Sequence, residues 1–99
     1  NFQSCDKITD KGVIELAQTI AAQLPNLIHF SLDLYGSVKV TDVSVKVLAQ
    51  EVGRNLRGLR RFELNLRQCW KVTGEAIRAL SNELRNLENL ELLILNFRL

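Results

Sequence analysis

The sequence predicts an α/β solenoid, a right-handed βα superhelix with a parallel sheet on its concave face and helices on its convex face. Three observations carry that expectation. The tetrapeptides Lys7-Ile8-Thr9-Asp10, Lys39-Val40-Thr41-Asp42 and Lys71-Val72-Thr73-Gly74 recur at a spacing of 32 residues. Within each unit the apolar period switches from steps of three and four to steps of two, the signature of a helix followed by a half-buried strand. Neither element is long enough to bury an apolar face alone, so the units must stack side by side.

Taken in order, each unit opens on a threonine. Thr9, Thr41 and Thr73 stand where a hydroxyl can accept from an unpaired helix amide. Asp10 and Asp42 follow in the first turn, where negative charge suits the helix dipole. The first helix then shows Val13, Leu16, Ile20 and Leu24 on one face, and Val45, Leu48 and Val52 align with it in the second unit. Ile77, Leu80 and Leu84 continue the pattern in the third. Pro25 closes the first helical region and Gly58 the second. Alternation follows at Phe30, Leu32, Leu34 and again at Phe62, Leu64, Leu66. In the third unit Leu93, Leu95 and Phe97 arrive one residue early, because its helical part is shorter. The units run 7–38, 39–70 and 71–99, with 1–6 as the tail of a preceding one, since Phe2 aligns with Leu34 and Leu66. The chain thus reads as one repeat domain over 1–99. It lacks methionine, which suggests a piece of a longer solenoid.

The stretch Leu59-x-x-Phe62-x-Leu64-x-Leu66-x-x-Cys69-x-x-Val72-Thr73-Gly74 resembles a leucine-rich repeat. Its Cys-x-x-Val-Thr ending is similar to the cysteine-containing repeats of F-box-type ubiquitin ligase receptors. The repeat length and long helix are similar to the ribonuclease-inhibitor class. The additional alternation at Leu34 and Leu66 departs from both and suggests strands longer than that family's usual short strand. The resemblance implies a scaffold or adaptor that binds a protein partner through the concave sheet. Its narrowest version is substrate recognition for ubiquitin ligation, although this chain shows no F-box.

Alternation assigns the concave face. With Phe30, Leu32 and Leu34 inward, His29, Ser31, Asp33 and Tyr35 point outward, as do Arg61, Glu63, Asn65 and Arg67. The third strand contributes Leu92, Ile94, Asn96 and Arg98. Strands ~4.8 Å apart turn these into columns. One column reads Gln3, Tyr35, Arg67, Arg98 and the next Asp33, Asn65, Asn96. Tyrosine and arginine are favoured where interfaces concentrate their energy. The expected partner site is therefore Tyr35, Arg67 and Arg98 for affinity, with Asp33, Glu63, Asn65 and Asn96 for polar complementarity. The same columns also fit a plain solvated face with Tyr35 stacked on Arg67, and hence a structural spacer.

Other residues narrow the function classes. Cys5, Ser37 and Cys69 form one ladder, and two strand spacings, ~9.6 Å, exceed the ~7 Å that a disulfide spans. Free thiols and a reducing, cytoplasmic setting are expected. Trp70, in the loop before the third helix, is expected to pack over the core edge, the alternative being an exposed anchor on the rim. His29 is the only histidine, and the repeat places no serine, cysteine or carboxylate beside it. The five glycines form no phosphate loop or dinucleotide fingerprint, and the cysteines and histidine fall short of a zinc site. No enzyme activity, metal, cofactor or small-molecule substrate is expected. No apolar run approaches the ~20 residues of a membrane span. All eight arginines lie beyond residue 53, which raises the possibility of nucleic-acid binding, but five glutamates dilute them and the pI of 8.8 is modest. Finally, 92–97 is apolar on both strand faces, so the last edge invites further repeats, a partner, or self-association.

Overall fold

The computed structural model describes residues 7–97. Three helices alternate with three strands: α1 (Asp10–Gln23), β1 (His29–Asp33), α2 (Asp42–Asn55), β2 (Arg61–Asn65), α3 (Gly74–Leu84) and β3 (Leu92–Asn96). The strands form one parallel sheet in the order β1-β2-β3. α1 packs on α2 and α2 on α3, each helix against its counterpart in the next unit. The architecture is α/β with a repeating helix–strand unit.

Each helix begins where the sequence places a threonine. Thr9, Thr41 and Thr73 all have extended backbone, and their hydroxyls accept from Gly12 N, Val43 N and Glu75 N. The first two helices have 14 residues and α3 only 11, the shortening that brings the third strand in early. The register records it. His29 pairs with Arg61, a step of 32 residues, whereas Arg61 pairs with Leu92, a step of 31.

Strand length differs from expectation. Each strand has five residues, so Leu34, Leu66 and Phe97 lie just beyond the strand ends. Pairing nevertheless carries on past them: Leu34 N donates to Asn65 O at 2.9 Å and Gly36 N to Arg67 O at 2.9 Å. Leu34 and Leu66 stay buried, which is what their alternation encodes, while the backbone turns away for the next helix. That turn needs a left-handed residue, Gly36 (φ 73) in the first unit and Gln68 (φ 65) in the second.

One contiguous core runs between helices and sheet, from Val13 and Ala17 through Val45, Leu48, Phe62 and Leu64 to Leu80, Leu84 and Leu87. Phe30 and Phe62 stack with centroids 5.3 Å apart, an aromatic pair worth about 1 kcal/mol beyond its buried area. Between α2 and α3 the contact is closer than a side chain permits. A Cβ on Gly53 would sit 2.5 Å from Glu83 O.

A second line of contacts joins the units through polar groups. Asp10 accepts from Thr41 N at 2.8 Å and from the Thr41 and Ser44 hydroxyls. Asp42 repeats the arrangement one unit on, accepting from Thr73 N at 2.7 Å and from the Thr73 hydroxyl. Each first-turn aspartate therefore satisfies the helix cap of the following unit, beyond any service to its own helix dipole. Burial alone would push the Asp10 carboxyl up, but the hydrogen bonds from Ser44 and Thr41 outweigh it and hold the carboxyl below its ordinary range.

Candidate functional site

On the sheet face turned away from the helices, outward side chains come from alternate positions of all three strands. Ser31 and Asp33 of β1, Glu63 and Asn65 of β2, and Ile94 and Asn96 of β3 line one shallow depression of about 190 Å³. The structure thus brings together four of the residues expected for recognition: Asp33, Glu63, Asn65 and Asn96. Ser31 and Ile94, which period-two alternation also turns outward, line it too, as do Leu32 and Leu64.

Tyr35 and Arg67 occupy a separate place, in the turns that follow β1 and β2. Asp33 Oδ1 accepts from Tyr35 N at 3.0 Å and Asn65 Oδ1 from Arg67 N at 3.1 Å. These side chain-to-backbone bonds mimic a turn and fix the direction in which the chain leaves the sheet. Asp33 and Asn65 accordingly spend one acceptor each on holding Tyr35 and Arg67 in place. Tyr35 is half-buried and Arg67 exposed. Arg98 lies outside the described residues, as do Gln3 and Cys5.

Two expectations about single residues are corrected. His29 is exposed, yet its Nε2 lies 2.9 Å from Glu63 Oε2. Parallel pairing sets His29 against Arg61, and Glu63 is the next outward residue on the same strand, a diagonal neighbour within reach of a long side chain. A carboxylate is therefore placed beside the histidine by the repeat geometry. Trp70 does not pack over the core edge; it is 65% exposed. The inward slots on either side are already filled by Cys69 and Val72, which leaves Trp70 and Lys71 facing solvent, just as Val38 and Lys39 do between Ser37 and Val40.

Cys69 is buried as a free thiol and donates to Leu34 O at 3.0 Å. Burial pushes its thiol up, leaving it protonated and unreactive. Its repeat equivalent Ser37 is fully buried. Of the arginines, Arg54 pairs with Glu83 at 3.2 Å and Arg60 with Glu91 at 3.8 Å. Among the described residues no group of three histidine, cysteine or acidic side chains could hold a metal ion. Also among them, no helix is long and apolar enough to cross a membrane. Comparison of the chain with protein-family models, with curated proteins and with solved structures finds no match.

Proposed function

We infer that the chain is three units of a leucine-rich-repeat solenoid that binds a protein partner through the sheet face turned away from its helices. The observation that carries this reading is the convergence of Asp33, Glu63, Asn65 and Asn96, from three strands in sequence order, on one outward depression. Beside it Tyr35 and Arg67 are held in fixed turns, which lowers the ordering cost of contacts they make. Protein is favoured over nucleic acid because Arg54 and Arg60 are already matched by glutamates and Glu63 and Asp33 stand in the depression itself. A buried free thiol at Cys69 favours a reducing, cytoplasmic setting.

The test is affinity capture with three forms of the protein. Tyr35→Ala with Arg67→Glu alters the sheet side, and Lys46→Glu with Arg78→Glu alters the helix side. Partners lost only with the first variant support the sheet face. Partners lost only with the second would move the site to the helices, and an unchanged set would make the chain a spacer.

A further inference from the structure

A second surface lies on the rim where each strand hands over to the next helix. Lys7, Lys39 and Lys71 recur there once per unit, and all three are exposed. The backbone bridges Thr9–Lys39 and Thr41–Lys71 are parallel, so Lys39 and Lys71 each lie beside the capping threonine of the preceding unit, two residues on from that unit's lysine. Next to them stand Val38, 37% exposed, and Trp70, 65% exposed. Five side chains on one ledge therefore combine a row of positive charge with the largest exposed apolar group of the described residues.

Among the described residues the acids of this rim are already engaged. The Asp10 carboxylate is bonded by Thr41 and Ser44, that of Asp42 by Thr73, and Glu75 lies 3.6 Å from Lys46. Among the described residues Lys7, Lys39 and Lys71 take part in no ion pair. Within the described residues their charge is unmatched.

We propose that this rim docks an acidic peptide segment of a protein partner, with glutamates or aspartates along the lysine row and one apolar side chain against Trp70 and Val38. Same-side residues of an extended peptide are ~6.6 Å apart, and the long, flexible lysine stems can follow that step. Lysine ammoniums meet carboxylates as point charges without demanding a bidentate geometry. Trp70 supplies a large contact area and an indole N–H that can donate. A membrane surface fits less well, because one tryptophan and one valine are too little apolar area to insert. Single-stranded nucleic acid fits less well, since successive bases need successive aromatic platforms and the rim has one. The surface uses no residue of the sheet depression, so either site can fail without the other.

Trp70 is the only tryptophan of the chain and reports its own burial. The probe is a short peptide of glutamates around one leucine, titrated into the whole protein while indole emission is followed. A saturable blue shift is expected, with affinity falling at least tenfold between low and high salt as the charges are screened. Lys39→Glu with Lys71→Glu should weaken binding at least tenfold, and Lys39→Arg with Lys71→Arg should retain it. A circular dichroism spectrum unchanged by the reversal excludes loss of fold. Glu63→Gln on the sheet should leave the titration unchanged. No emission change, or an affinity indifferent to charge reversal, would overturn the proposal. Tighter binding of phosphatidylserine vesicles or of oligouridylate than of the peptide would overturn it equally, by assigning the rim to lipid or nucleic acid.

Discussion

The middle unit and the first unit carry nearly the same apolar letters but not the same burial. Leu48 is fully buried and Leu56 likewise, whereas their equivalents Leu16 and Leu24 are 39% and 50% exposed. At the other end Leu93, equivalent to the buried Phe62, is 42% exposed. A cleft of about 260 Å³ opens beside the first unit among Ile8, Val13, Leu16, Leu32 and Leu34. The difference teaches that a repeat's residues do not specify its burial; the neighbour on each side does. In the middle unit α2 touches both α1 and α3, and β2 pairs on both edges.

Four substitution pairs press on that contrast. The largest effect is expected in the core. Leu48→Ala should cost about 2–5 kcal/mol in urea denaturation, through lost transfer energy plus the cavity left behind. Leu16→Ala should cost less than about 1 kcal/mol, because its side chain is already partly in water. Equal costs would mean the first unit is covered as fully as the second.

Next come the helical glycines, where one substitution should have opposite signs. Gly53→Ala forces a Cβ against the Glu83 carbonyl and should lose about 1–3 kcal/mol. Gly12→Ala meets nothing within 4 Å and should gain up to about 1 kcal/mol from helix propensity. Thermal melts of the two variants on either side of the parent would establish the contact.

The aspartate links give a smaller, pH-dependent pair. Asp10→Asn should cost about 1–2 kcal/mol near neutral pH, since hydrogen bonds to a charged acceptor are worth more than neutral ones. The Asp10 pKa is depressed in the folded state, so its contribution is fully present above the unfolded value of about 3.8. It is lost as pH falls through the lower folded value. Parent and variant stabilities should therefore converge in strong acid and separate above it. Asp42→Asn should cost less than Asp10→Asn, because the place of Ser44 is taken in the third unit by Ala76, which has no hydroxyl to donate.

Smallest is the turn. Gln68→Gly removes a left-handed side-chain conformation costing roughly 1–2 kcal/mol and adds chain entropy of about half that, for a net gain near ~0.5 kcal/mol. Gly36→Gln should lose about 1 kcal/mol in the same assay.

Much of the fold was legible because it is local and repeated. Thr9, Thr41 and Thr73 marked three helix starts, and the early arrival of Leu93 foretold the change of register between β2 and β3. Alternation correctly turned Asp33, Glu63, Asn65 and Asn96 to one face. What escaped depends on neighbours across the seam. The bond between Asp10 and Thr41 spans 31 residues, beyond anything a local dipole argument contains. The contact of His29 with Glu63 is a diagonal, which a column drawn straight across strands does not contain. The hydrophobicity of Trp70 points inward, but the inward places beside it are taken by Cys69 and Val72.

The aspartate-to-threonine bonds also give the array a direction. Each unit hands an acceptor forward to the next, so the units are not interchangeable building blocks. A second copy of 39–70 placed directly after the first would inherit the link, because Asp42 would face a new Thr41. The same copy placed after 71–99 would not, because Gly74 stands where the aspartate should be and offers no carboxylate. Shuffling the units would thus keep every apolar match and still produce chains of unequal cohesion, with word order as well as vocabulary deciding which ones hold.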